Sequence, residues 1–341
     1  MRYIISLFLA STALPAMADA PRVVTDIPPV QSLVAQVMGD LGEPAVLLEK
    51  GANAHSFQMR PSQAAELAEA DLVVWIGPQL TPWLDRALQG LGEGAERLTL
   101  LDAPGTYRQD FADHDAKAED GGHDHDHDHD HEAETEAAGH SDGGHFDEGH
   151  EDGGHEDEGH EDGGHEDHAH SGLDPHAWLD PANGRVWLDV IAAELGRIDP
   201  DNAAAYQANA EAARARITAL DGELSAILGP VRDRPFMVEH DAYGYFAGHY
   251  GLSVKGSVRL GDATEPGAAH LADLRSGLEG VVCVFPEAGH DPKSTALLIE
   301  GTDVRLGSAL DPEGSMIDPG PDAYETLLRA LAGTLTDCLA P

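Results

Sequence analysis

The chain has 341 residues, 62 Asp and Glu against 20 Lys and Arg, a formal net charge of −42, and two cysteines. Nucleic acid and anionic membrane are poor partners for so acidic a surface, because both need basic side chains, whereas cations are attracted to it. The length, less one low-complexity stretch, is enough for two ordinary domains.

Residues 1–18 hold Arg2, an apolar run from Ile4 to Ala13 and Ala16-Met17-Ala18 before Asp19. This reads as a secretory signal peptide, too short for a retained membrane helix. No later stretch reaches the roughly 18 uninterrupted apolar residues that a membrane span needs, so a soluble exported product is expected.

Residues 19–198 read as a first α/β lobe. Strands are predicted at 22–25, 45–48 and 72–76, with helices at 29–38, 61–70 and 80–91 between and after them. A glycine-led loop containing Asn53, Ala54 and His55 follows the second strand. Short apolar strands alternating with helices imply a parallel sheet flanked by helices.

From 113 to 170 the periodicity disappears. This insert carries 23 acidic residues against one lysine, and 14 of the 20 histidines, in a run HDHDHDHDH and a ten-residue repeat. With Phe146 as its one large apolar residue it cannot bury enough surface to offset chain entropy, so disorder without metal is expected. Order returns at Leu173-Asp174-Pro175-His176, before a helix at 181–195.

Residues 199–229 predict one long amphipathic helix between the lobes. Tyr206, Ala210, Ala213, Ile217, Leu220, Leu224 and Ile227 recur at alternating intervals of four and three. Asp199 is placed to cap it, Pro200 suits its first turn, and Gly229-Pro230 ends it. After it the pattern repeats over 230–341. Strands are predicted at 235–238, 253–258, 281–285 and 303–306, and helices at 242–250, 267–277, 294–300 and 324–339. Cys283 in a strand and Cys338 in the last helix are expected to bond in an oxidising compartment, the alternative being two unrelated buried thiols.

Six histidines lie outside the insert. His55 sits in a loop after a strand, His176 in a turn beside Pro175 and His240 at a strand's C-terminal edge, and parallel α/β sheets bind ligands at the carboxyl ends of their strands, where loops from both halves meet. His249, His270 and His290 read as surface or internally satisfied residues. Neutral imidazole suits zinc, and three imidazoles leave one tetrahedral position. No local motif such as H-x-x-x-H is present, so spacing by itself does not choose these three.

The segments GANAHSFQMRPS, ADLVVWIGP, DPHAWLDP and EHDAYGYF, with the stretch from Gly301 through Leu310-Asp311-Pro312 to Cys338, resemble the periplasmic zinc-binding proteins of bacterial zinc ABC importers, in the metal-binding cluster A-I of solute receptors. The resemblance implies two parallel-sheet α/β lobes joined by one rigid helix, with Zn²⁺ held in the cleft between them by His55, His176 and His240. It also implies a periplasmic location, a membrane permease as partner, a monomer and no enzymatic activity. Some zinc relatives have Glu where this chain has Ala54. Manganese and iron relatives place Glu at His240 and use an Asp corresponding to Asp311, which leaves the fourth ligand open between Asp311 and water. Two other classes are consistent with three histidines: an exported zinc hydrolase, for which Glu239 and Asp241 are the available bases, and a metal buffer or chaperone worked by the insert.

Overall fold

The computed structural model describes residues 20–91, 94–111, 172–259 and 267–341. The expected signal peptide and insert lie outside the described residues. Among those described, no helix is long and apolar enough to cross a membrane.

The first half runs β1 (Val23–Thr25), α1 (Pro28–Met38), β2 (Ala45–Val46), α2 (Pro61–Ala68), β3 (Leu72–Trp75), α3 (Pro82–Gly90), β4 (Glu96–Thr99) and, past the insert, α4 (Pro181–Ile198). After α5 (Ala203–Leu228) the second half runs β5 (Phe236–Val238), α6 (Gly244–Tyr250), β6 (Val254–Ser257), α7 (Ala268–Ser276), β7 (Cys283–Phe285), α8 (Lys293–Ile299), β8 (Arg305–Leu306) and α9 (Ala323–Leu339). Each half holds a four-stranded parallel sheet, ordered β2-β1-β3-β4 and β6-β5-β7-β8. The fold is therefore two parallel-sheet α/β lobes joined by a long helix. In both sheets the first strand lies beside the third and the chain reverses its direction of travel there. Such a switch point opens a crevice at the strands' carboxyl ends.

Helix α5 is about 39 Å long at 1.5 Å per residue. Tyr206, Ala210, Ala213, Ile217, Leu220, Leu224 and Leu228 are buried along one stripe against α4, α1 and α9. Truncating Ile217 or Leu220 to alanine would cost about 2–5 kcal/mol. Two local expectations fail here. Ile227 is 36% exposed and Leu228 takes its place, because a straight helix with 3.6 residues per turn drifts off a strict heptad. Asp199 does not cap the helix: its Oδ2 accepts from Tyr206 Oη at 2.8 Å and Asn202 Nδ2 at 2.7 Å, and a single 3₁₀ turn, Pro200–Asn202, leads into α5.

β4 was not apparent from pattern. Its residues are Glu-Arg-Leu-Thr, half-exposed at the edge of the sheet, so an edge strand carries no apolar run to betray it. Cys283 in β7 and Cys338 in α9 form a disulfide, which closes the last helix onto a central strand of the second sheet.

Candidate metal centre

The switch point of the second sheet places two side chains against each other. β5 continues into Glu239 and His240, and β7 into Pro286 and Glu287. His240 Nδ1 lies 3.1 Å from Glu287 Oε2, and both residues are buried. The Nδ1 of His176 makes the same kind of contact, 2.8 Å from Asp174 Oδ1, in the turn preceding α4. Asp174 Oδ1 also accepts the backbone N–H of His176 at 3.0 Å, so one carboxylate fixes both the ring and its backbone. In each pair the carboxylate faces Nδ1, so Nε2 is the nitrogen that could coordinate a cation.

His55 sits in the loop after β2. Asn53 Oδ1 accepts the N–H groups of His55 at 2.9 Å and Ser56 at 3.2 Å, a turn that asparagine favours. The loop is pinned at Ala54, whose N–H donates to both oxygens of Glu313 at 3.1 and 3.2 Å and whose carbonyl accepts from Trp83 Nε1 at 2.6 Å. Gly51 N–H donates to Ser315 O at 3.0 Å. A loop of the first lobe is thus carried on a loop from the second. The position where some relatives have Glu is a fully buried alanine here, and the carboxylate against it is Glu313.

These supports bring His55, His176 and His240 together. One ligand nitrogen from each lies within 4.8 Å of the others, the one such group among the described residues. Nitrogens on a tetrahedral zinc at 2.0–2.1 Å stand about 3.3 Å apart, so the three lie in the range from which one ion could draw them together. His176 is fully buried, and its Nε2 has no hydrogen-bond partner. A buried imidazole nitrogen left so is costly unless something fills the position. The donor set fits a borderline cation.

Asp311 is not in this group. Its Oδ1 accepts from Ser315 N at 2.9 Å and Ser315 Oγ at 3.2 Å, and its Oδ2 from Met316 N at 2.8 Å. Burial pushes its carboxyl above the ordinary value, and the three donors only partly offset that. It ties the loop that carries Glu313. Glu239 is also a buried structural group: Thr295 Oγ1 donates to it, and burial raises its carboxyl above the ordinary value despite that bond.

The remaining histidines divide. His290 belongs to the surroundings of the centre: it contacts Arg259, and its Nε2 lies 3.5 Å from Asn53 Nδ2 and 3.6 Å from Glu287 Oε1. With Gly51, Asn53, Glu287, Asp311 and Glu313 it lines a small cavity, which shares Glu287 with the His240 pair. His249 pairs with Asp180 and Asp221, and the Nε2 of His270 lies 3.2 Å from the carbonyl of Val258. A wider groove between α4 and α5 contains no histidine, and its Arg214 and Asp189 are paired at 2.8 Å.

Asp174, Glu287 and Glu313 are the supporting residues that local pattern did not pick out. Asp174 had a signal, two residues before His176 in a turn; Glu287 and Glu313 reach across 47 and 259 residues.

Two α/β lobes on a helical spine, with three imidazoles converging where they meet, define a metal-binding solute receptor. Residues 23–338 match the family model described as zinc-uptake complex component A, periplasmic. The chain belongs to that family. It is 56% identical over 333 residues to the high-affinity zinc uptake system protein ZnuA of Paracoccus denitrificans, covering 97% of this chain and 95% of that one. It is 38% identical over 349 residues to the protein of the same name from Brucella suis, over the whole of both. A crystal structure of ZnuA superposes with TM-score 0.68 at 25% identity, over 94% of this chain and all of the other. A ZnuA deletion mutant with zinc bound shares the fold at TM-score 0.67 and 24% identity, covering 95% and 99%.

Proposed function

We propose that this protein captures Zn²⁺ in the periplasm through His55, His176 and His240 and presents it to the permease of an ABC importer, acting as a monomer. The observation that carries the ligand assignment is the convergence of three imidazole nitrogens within 4.8 Å, two of the rings being held at Nδ1 by buried carboxylates. Three neutral nitrogens favour zinc over manganese, whose harder ion prefers oxygen. Asp311 accepts three hydrogen bonds within its own loop and lies outside the group of three imidazoles, which supports water rather than Asp311 at the fourth coordination position. The chain's acidity draws cations toward the cleft.

The insert supplies alternating imidazole and carboxylate groups whose ordering entropy subtracts from affinity, so it offers weak, exchangeable sites beside one preorganised site. The test is a titration with zinc against a competing chelator. The mature chain should show one tight site, which persists when 113–170 is removed and is lost when His55, His176 and His240 are all changed to alanine. Retention of full affinity by that triple variant would show that other residues hold the ion.

A further inference from the structure

The residues that flank the insert on its two sides are joined to each other. Asp110 and Leu173 form an antiparallel bridge, Phe111 N–H donates to Gly172 O at 3.0 Å, and Asp174 N–H donates to Gln109 O at 3.0 Å. This neck is built onto the residue that orients His176. Gln109 Nε2 donates to Asp174 Oδ2 at 3.3 Å, while Asp174 Oδ1 faces His176 Nδ1 at 2.8 Å. One carboxylate therefore has one oxygen on the neck and the other on the histidine.

The second lobe locks the arrangement. Tyr245 Oη, on α6, donates to Asp174 O at 3.0 Å and accepts from Gln109 N–H at 3.0 Å. Gly244, beside it, leaves the space in which the pair meets: a β-carbon there would come within 2.5 Å of Gln109 Nε2 and 3.0 Å of Asp174 Oδ2. The ring of Phe111 stands edge-on to that of His176, with centroids 6.2 Å apart.

We propose that Gln109 is a positioning residue of the metal centre, acting through Asp174 on His176, so that the root of the insert helps to set how tightly the cleft holds its cation. The inference rests on the reading of His176 as a zinc ligand. An imidazole whose Nδ1–H is held by a carboxylate presents Nε2 in the correct tautomer and orientation, and outer partners of this kind commonly change metal affinity by about 10–100-fold. A donor to the remote oxygen of Asp174 fixes the plane of that carboxylate. Removing the donor lets the carboxylate turn away from the ring.

The experiment is a substitution series in the full mature chain, read as the zinc dissociation constant of the tight site in competition with a chelator. Gln109→Glu keeps the shape but sets an acceptor and a like charge against Asp174. Gln109→Leu removes the donor, and Gln109→Lys restores one. Donor chemistry predicts an order in which Glu weakens binding most, by about tenfold, Leu less, and Lys stays within about threefold of the parent. Gln109→Leu should also shift the ¹⁵N resonances of the His176 ring toward a mixture of tautomers, which Gln109→Lys should not. If packing alone matters, the isosteric Glu will be harmless and Lys damaging, and that order overturns the proposal, as would a series with no change. A His176→Ala chain that keeps the tight site would instead overturn the ligand reading on which the proposal stands.

Discussion

His240 Nδ1 and Glu287 Oε2 lie 3.1 Å apart across the two central strands of the second sheet, with each residue at most 5% exposed. The carboxylate fixes a ring that would otherwise rotate about χ2, and it favours the tautomer with hydrogen on Nδ1. Glu287→Ala should weaken zinc binding by about 10–100-fold while leaving the fold intact. Competition with a chelator checks this; an unchanged dissociation constant would mean that His240 is oriented by other contacts.

His249 connects three elements. From α6 it places Nδ1 2.9 Å from Asp180 Oδ1, at the start of α4, and Nε2 2.8 Å from Asp221 Oδ1 on α5, where Arg185 also donates at 3.0 Å. The hydrogen bond to Asp180 raises the imidazole above its ordinary 6.5, despite partial burial. A raised folded-state value means that the stabilisation is complete below about 6.5 and is lost as pH rises through the folded value. His249→Gln should therefore cost about 1 kcal/mol of stability near pH 6 and progressively less toward pH 8, as read from denaturant midpoints. A pH-independent loss would contradict the charged pairing.

Asp26 follows β1 and bridges the switch point of the first sheet, accepting the N–H of Ile27 at its Oδ1 and that of Ile76 at its Oδ2, each at 2.9 Å. Complete burial pushes its carboxyl up to about 7, with the two backbone donors pulling partly back. The folded state thus favours the protonated form, and this stabilisation, present below about pH 4, is lost as pH rises through about 7. Over pH 6 to 8, Asp26→Asn should remove part of the decline in stability seen in the parent. The comparison is the difference between the two denaturation profiles, and parallel profiles would show that Asp26 does not titrate in that window.

Much of the fold is legible in the sequence because its signals are local. The α5 stripe, the unbroken apolar run of β3 and the Pro and Gly boundaries each depend on near neighbours. Where the reading failed, the cause was geometric or distant. β4 is half-exposed and charged, and Ile227 gave way to Leu228 through helical drift. Asp199 turned from the helix end to the hydroxyl of Tyr206. His55, His176 and His240 could be picked out by family resemblance and by their places in loops, a turn and a strand end, yet no spacing among them encodes their approach. The carboxylates that support them are harder still to see. Glu313 reaches Ala54 from the far end of the chain, and an isolated Glu in a loop looks the same whether it faces solvent or holds a site.

The most direct test of the central claim is anomalous diffraction at the zinc edge from crystals of the mature chain grown with one equivalent of zinc. The account predicts a single strong peak bounded by His55, His176 and His240, with their nitrogens at about 2.0–2.1 Å and a water completing the tetrahedron. A peak elsewhere, or one whose shell is made of carboxylate oxygens with any of these three imidazoles turned away, would contradict it.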